Sequence, residues 1–422
     1  MTRFLYSLAW LVATPLALAR LAWRSRRQRG YREHLGERLG RYAAVPAAPR
    51  IWIHAVSVGE TRAAAPLVRA LMESHPGHRI LMTHMTPTGR ATGEEIFGDR
   101  VERAWLPYDL AFATRRFLRH FRPEVGILLE TEVWPRMIEE CVRAGIPVVL
   151  ANARLSERSR KRYARWTALA RWAFGNLSGV AAQAEADAQR FVSLGARRVT
   201  VTGNVKFDIA VPAAALEMGR AFRERFGAAR RIWVAGSTRE GEEALLLDAF
   251  AHGDYAADVL LVIVPRHPQR FDEVAELSRR SGLATQRRSD AAAIDAATRV
   301  LVGDSMGEML AYFAAADVAI MGGSLLEFGS QNLIEPCAMG TPVIVGPHTW
   351  NFAEAAEGAL AAGAALGVAD AAQALREADA VSADRARREA MGRKAAAFVS
   401  EHRGAVGRFT AWLAQTLAER RS

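Results

Sequence analysis

The side chains able to do chemistry cluster in short stretches, each following an apolar run. Ile51-Trp52-Ile53-His54-Ala55-Val56 gives way to Ser57-Val58-Gly59, then to Glu60 at the head of an Ala-rich segment. That order spells a buried strand, a turn and a helix start, with Gly59 letting the backbone turn closely. An acid placed there falls at the mouth of the crevice where open α/β sheets bind ligands, or can simply complement the helix dipole from the first turn. Glu130-Thr131-Glu132-Val133-Trp134-Pro135 ends another apolar strand. Glu132 could cap the helix that Pro135 starts, which leaves Glu130 as the functional candidate. Lys206, in Gly203-Asn204-Val205-Lys206-Phe207-Asp208, could hold a developing negative charge, although nothing local forces it inward.

A second group of residues suits a nucleotide. Val264-Pro265-Arg266-His267-Pro268 puts a guanidinium fork, which fits phosphate or carboxylate, at a strand end; His267 could equally be a turn residue. Asp304-Ser305-Met306-Gly307-Glu308 precedes a helix. Gly236-Ser237-Thr238 and Gly322-Gly323-Ser324 read as turns suited to anions, because glycines let backbone N–H groups approach a phosphate. A helix opening near Asn332, in Asn332-Leu333-Ile334-Glu335-Pro336, would add its positive end. Glu335, three residues in, could accept from ribose hydroxyls, though Asn332 and Glu335 also resemble a capping pair. Gly346-Pro347-His348-Thr349-Trp350-Asn351-Phe352 could close the pocket. No D-x-D pair occurs, which disfavours a metal-bridged sugar diphosphate, and no GxxxxGK loop, which argues against an NTPase.

The elements that must position these residues alternate. Strand-like runs are Ile51–Val56, Arg79–Met85, Val125–Leu129, Pro147–Ala151, Gly179–Ala182 and Val199–Gly203, with helical patterns between them. After a crossing at Lys206–Pro212 the logic repeats with Arg231–Ala235, Val259–Val264, Thr298–Val302, Val318–Met321 and Pro342–Val345. The stretch from Asp384 to Arg421 reads as helix. Strands alternating with helices predict parallel sheets covered on both faces. Two Rossmann-like halves facing a cleft, without G-x-G-x-x-G, favour a sugar transferase over a dehydrogenase. At 422 residues, half of them hydrophobic, the chain suits two globular domains. Cys141 and Cys337 lie far apart with no metal-ligand spacing, which predicts a reduced compartment and no disulfide framework.

A net charge of +11 calls for an acidic partner. Arginines concentrate at Arg24, Arg26, Arg27 and Arg29, and again from Arg154 through Arg171. With no zinc-finger spacing and no aromatic–basic RNA motif, an anionic membrane face fits better than nucleic acid. Phe4 to Trp23 is almost wholly apolar, long enough at about 30 Å to reach across a bilayer core. Ala17-Leu18-Ala19 mimics a cleavage site, but the apolar run continues past it and ends in arginines, which argues for a retained anchor and a cytoplasmic domain behind it. Whether that anchor spans the bilayer or lies on it stays open, as does a hydrophobic helix packed on the domain.

Together these stretches resemble the 3-deoxy-D-manno-oct-2-ulosonic acid (Kdo) transferases of lipopolysaccharide synthesis. The resemblance rests on His54-Ala-Val-Ser-Val-Gly-Glu60, Glu130-Thr-Glu132-x-Trp-Pro, Gly203-Asn-x-Lys206-Phe-Asp208, Pro265-Arg-His-Pro268, Met306-Gly-Glu308, Asn332-x-x-Glu335 and Gly346-Pro-His-x-x-Asn-Phe352, all in the family's order. It weakens into the Ala-rich tail, and Ser330 stands where the family commonly has a second glycine. The resemblance implies an α/β GT-B fold of two Rossmann-like domains facing a central cleft, with an N-terminal membrane-anchor helix. The expected divisions are an anchor and basic flank over 1–30, an acceptor-binding domain over 31–208, a donor-binding domain over 209–395 and a final helix over 396–422.

It also implies CMP-Kdo as donor, the acylated glucosamine disaccharide bisphosphate precursor of lipid A as acceptor, inversion at the anomeric centre, and neither cofactor nor metal. By the same resemblance Glu60 is the base, and Glu130 and Lys206 stabilise the transition state. Pro265 and Arg266 contact CMP, Met306, Gly307 and Glu308 line the nucleotide pocket, and Asn332, Leu333, Ile334 and Glu335 hold phosphate and ribose. The expected location is the cytoplasmic side of the inner membrane. Two rival readings are a GT-B transferase or epimerase using a UDP-sugar, and a non-catalytic membrane-bound lipid or nucleotide binder.

Overall fold

The computed structural model describes residues 2–26, 28–290 and 293–421; Arg27, one of the arginines of the N-terminal basic cluster, and Ser422 lie outside them. The chain divides into two compact units, one of residues 1–208 with 403–422 and one of residues 209–402. The boundary after Asp208 follows the Lys206 motif directly.

The first unit holds strands β1 (Arg50–His54), β2 (Arg79–His84), β3 (Val101–Trp105), β4 (Pro123–Leu129), β5 (Val148–Ala153), β6 (Gly179–Ala182) and β7 (Val199–Val201). They form one parallel sheet in the order β3-β2-β1-β4-β5-β6-β7. The crossovers leave β1 in one direction and β4 in the other, so the two strands flank a topological switch point, where open sheets bind ligands. Helices cover both faces, which is why Ile51, Trp52, Ile53, Ile127 and Leu128 are all buried although they alternate in direction. Gly126 must lack a side chain: a Cβ there would come within 2.7 Å of the Trp52 ring.

The second unit holds β8 (Arg231–Thr238), β9 (Val259–Pro265), β10 (Thr285–Arg287), β11 (Val300–Val302), β12 (Val318–Met321), β13 (Val343–Val345) and β14 (Ala365–Gly367). Their order is β10-β11-β9-β8-β12-β13-β14, again all parallel, with β8 and β12 at the switch point. Three strands carry no signal in the sequence reading: β3, β10 and β14. All three are sheet edges. An edge strand pairs on one side only and tolerates polar residues, so Val101-Glu-Arg-Ala-Trp105 and Thr285-Gln-Arg287 lack the apolar run that marks a central strand.

The C-terminal helix is not continuous. One helix runs Arg385–His402, and a second, Ala405–Arg421, follows a break at Gly404, whose φ is +88°. The second returns to the first unit, where Phe409 and Leu413 join the core of Ile51, Leu67 and Val68. Asp208 holds its start by accepting from the N–H groups of Gly404 and Val406. Helix α1 (Thr2–Arg24) is the one described helix long and apolar enough to cross a membrane, by length and composition.

Candidate active site

In the first unit the three expected catalytic residues lie at the C-terminal side of the sheet. Glu60 follows β1 in the first turn of helix α2 (Val58–Ser74), Glu130 directly follows β4, and Lys206 lies in the 3-10 turn Val205–Phe207 after β7. Glu60 takes the first-turn position that the helix-dipole reading requires. Ser57 caps α2 by accepting from the Glu60 N–H at 3.4 Å, while its hydroxyl donates to Glu60 Oε1 at 3.0 Å, a variant of the capping box in which the hydroxyl rather than the Ser57 N–H meets the carboxylate. The Val56 N–H donates to Glu60 Oε2 at 2.8 Å. The box thus orients the carboxylate. Burial pushes the Glu60 carboxyl up to about 7, and repulsion from Glu130 and Glu132 adds to it, against the lowering effect of the Val56 N–H and the Ser57 hydroxyl. A carboxyl poised there is half ionised at neutral pH, the condition that suits a general base.

Gly59 does not serve the tight turn expected of it. Its backbone avoids the left-handed region, and a Cβ would touch nothing closer than Ser57 Oγ at 3.9 Å. His54 opens the motif but is wholly buried; Nδ1 lies 2.9 Å from the Thr83 hydroxyl, and burial drives its pKa down to about 3, so it is a neutral packing residue.

Glu130 sits in the left-handed region with φ +55°, unusual for a side chain of its size and a mark of a constrained position. Its carboxylate pairs with Lys206 Nζ at 2.9 Å, with side-chain exposures of 26% and 17%. Tertiary contacts draw the lysine inward, as local sequence could not. Asn152, buried at the end of β5 with φ +50°, accepts from the Val205 N–H at 3.1 Å, and Val205 and Phe207 plug the core on either side of Lys206. Asn152 drew no attention in the sequence; the signal was an Asn at a strand terminus, a residue that tolerates the left-handed region. Glu132 does not cap the helix that begins at Pro135. Asp109 does, accepting from the N–H groups of Arg136 at 2.9 Å and Met137 at 2.7 Å.

The nucleotide-type residues lie in the second unit. Pro265 ends β9 and Arg266 follows it, its N–H donating to Thr238 O at 3.0 Å. Glu308 is fixed by Arg288 at 3.1 Å and by the Ser305 hydroxyl at 2.6 Å, and Met306 and Gly307 (φ +79°) precede it on an exposed turn. The helix near Asn332 is a short turn of Ile334–Ala338, so Glu335 is its second residue. Asn332 donates to Glu335 Oε1 at 3.1 Å and accepts from the Ile334 N–H at 3.2 Å, but the N-cap position is Leu333 and carries no side-chain cap, so the pair is not the capping box its spacing suggested. Leu333 and Ile334, expected to hold phosphate and ribose, are instead wholly buried, with neither residue exposed. Ser330, at the family's glycine position, holds φ +68°. Asn351 braces this loop, donating to Phe328 O at 2.9 Å.

The glycine turn after β12 is not a vacant anion cradle. Glu242, fully buried, accepts from the N–H groups of Gly323 at 2.6 Å, Leu325 at 3.0 Å and Arg239 at 2.8 Å. An internal carboxylate occupies the donors that the sequence offered to a phosphate. The cation that does stand at this switch point is Arg239, absent from the sequence-based candidates. It lies over the Phe328 ring at 4.7 Å and 3.2 Å from His267 Nε2. Burial and the flanking Arg239, Arg266 and Arg270 depress the His267 pKa, as expected in a cationic rim. No group of three His, Cys, Asp or Glu positioned for a metal occurs among the described residues.

Comparison with known proteins gives the family. A family model described as 3-deoxy-D-manno-octulosonic-acid transferase (kdotransferase) matches residues 33–209. The 3-deoxy-D-manno-octulosonic acid transferase of Bordetella pertussis is 46% identical over 97% of this chain and 98% of its own. That of Haemophilus influenzae is 38% identical, covering 97% of both. Among solved structures, UDP-GlcNAc 2-epimerase from Neisseria meningitidis superposes with TM-score 0.58 over 88% of this chain and all of its own, at 15% identity; that likeness is one of fold, two Rossmann-like domains of the GT-B kind. Near-complete coverage on both sides, with the Glu60, Glu130 and Lys206 motifs inside the matched region, places the chain in the 3-deoxy-D-manno-octulosonic acid transferase family.

Proposed function

We propose that the protein transfers Kdo from CMP-Kdo to the phosphorylated, acylated glucosamine disaccharide that precedes lipid A, with inversion at the anomeric carbon. The observation that carries this reading is Glu60, a half-buried carboxyl held near neutral pKa at the switch point of the first sheet, beside the Glu130–Lys206 pair. The acceptor's primary hydroxyl gives its proton to Glu60 as its oxygen bonds to the anomeric carbon. The bond from that carbon to the phosphate oxygen breaks, and CMP leaves with the electron pair. One base and no covalent sugar intermediate suffice for inversion. Lys206, held by Glu130, supplies fixed positive charge, which is worth most in a site that excludes water.

In the second unit, Pro265 and Arg266 contact CMP, Met306, Gly307 and Glu308 line its pocket, and Asn332 to Glu335 hold phosphate and ribose. On this reading residues 31–208 bind acceptor and residues 209–395 bind donor, while α1 and its basic flank keep the enzyme on the cytoplasmic face of the inner membrane. Incubation with a CMP-Kdo-generating mixture and lipid A precursor, followed by mass analysis of the lipid, tests the reaction and counts the sugars added. Stronger thermal protection by UDP than by CMP would turn the reading toward a UDP-sugar enzyme.

A further inference from the structure

Helix α1 has two unlike sides. On one, Tyr6 donates to Asp109 at 2.6 Å, Ser7 accepts from Arg136 at 2.7 Å and Arg3 pairs with Glu139 at 2.8 Å. Trp10 stacks on Tyr108 with ring centroids 5.8 Å apart. Asp109 is only 1% exposed, so withdrawing α1 would strip a hydroxyl from a buried carboxylate. The other side is bare: Phe4, Leu5, Leu8, Leu11, Val12 and Leu16 are exposed. A helix hydrogen-bonded along one side to a folded domain is not sheathed in acyl chains, whereas its apolar side suits the plane of a membrane interface.

The C-terminal half of α1 roofs a groove of about 480 Å³. Leu16, Leu21 and Met85 give it apolar walls; Arg20, Arg24 and Arg38 give it positive charge, and no acidic residue lines it. Arg38 is 2% exposed and makes no ion pair among the described residues. Its guanidinium donates to Met85 O at 2.9 Å and stacks over Trp105 at 4.2 Å, and burial lowers its pKa to about 10. The adjacent Glu37 carboxylate is engaged by Arg90 and the Trp105 N–H. A buried cation whose neighbouring carboxylate is committed to other partners favours an anionic visitor. The groove also borders the chemistry: the Thr86 hydroxyl in its wall donates to Val56 O at 2.9 Å, and Val56 holds Glu60 through its N–H.

We infer that this groove is a subsite for the acceptor glycolipid, with Arg20 and Arg24 on one sugar phosphate and Leu16, Leu21 and Met85 against an acyl chain. The inference rests on the transfer reading for the identity of the lipid, but its test does not. Binding of the bisphosphorylated disaccharide lipid to full-length protein in neutral detergent micelles, without donor, is compared between wild type and the Arg20→Ala/Arg24→Ala double variant. Both arginines are exposed, so the variant folds. The expected result is at least a tenfold weaker Kd for the double variant, and equal affinities for an analogue lacking both phosphates. In turnover, the acceptor KM rises by a similar factor while the donor KM stays unchanged. An unchanged Kd for the bisphosphorylated lipid, with reduced flotation on phosphatidylglycerol vesicles, would assign the arginines to bulk membrane and overturn the inference. Wild-type protein that binds the lipid but transfers no Kdo would sink the transfer reading and leave the groove standing.

Discussion

Lys206 Nζ lies 2.9 Å from a carboxylate oxygen of Glu130, although the two residues belong to loops after different strands of one sheet. The pair stores a cation in a fixed place, with Glu130 locked by a left-handed backbone and Lys206 by Asn204 and Asn152. Lys206→Ala should lower kcat by about 10²–10³-fold, the usual effect of removing one preorganised charge-stabilising group. Glu130→Gln should lower it too, and the double variant should cost less than the product of the singles, because each residue acts through the other. Additive losses would separate their roles.

Glu60→Gln should fold normally and lose about 10²–10⁴ in kcat, the range for a general base. In wild type, kcat/KM should rise with pH through about 7 as the carboxyl ionises. Stability moves oppositely. The folded-state pKa is raised above the ordinary 4.5, so the native chain binds more protons between 4.5 and 7 and loses stability as pH rises through that window. Melting temperatures of wild type and Glu60→Gln, compared at intervals from pH 4.5 to 8, should diverge in favour of the variant toward the alkaline end.

Glu242→Ala would leave the N–H groups of Gly323, Leu325 and Arg239 without their buried acceptor. At about 1–3 kcal/mol for each stranded donor, a loss of at least about 3 kcal/mol is expected, read in urea as an earlier transition of the second unit. Donor KM should rise with it, since the same turn leads to Asn332. An unaltered urea profile would contradict the role assigned to this carboxylate.

Asn152→Ala puts an alanine where φ is +50° and removes the acceptor of the Val205 N–H. The left-handed backbone costs about 1–2 kcal/mol and the lost hydrogen bond about 1 kcal/mol. Because that turn carries Lys206, kcat should drop with acceptor and donor KM nearly unchanged. Asn152→Gly, which relieves only the backbone, should recover part of the stability and none of the kcat.

What could be seen in advance followed the physics of burial. Central strands such as β1, β4 and β9 carry apolar runs (Ile51–Ile53, Val125–Leu129, Val259–Val264) because helices cover both faces, and they were legible. The edges β3 and β10 were not, since one-sided pairing leaves polar residues in place, and edge β14 is a three-residue Ala-Leu-Gly too short to mark a strand. Candidate functional residues near strand ends stood out as carboxylates or cations that packing does not explain, as Glu60, Glu130 and Arg266 do. Arg239 was hidden because a lone arginine after a turn looks like any surface arginine until Phe328 and His267 are seen against it.

The amino-acid order by itself determined the alternation of elements, the apolar N-terminal helix, and the motif residues Glu60, Glu130, Lys206 and Glu335. These are properties of neighbours along the chain. Only the tertiary structure decided that Asp109 rather than Glu132 caps the helix after Pro135, that Glu242 fills the glycine turn, and that Lys206 meets Glu130. Each of those pairs is separated by 27 to 81 residues, and hydrogen-bond partners at such range are chosen by folding, which leaves a buried donor to take whichever acceptor the packed sheet brings within about 3 Å.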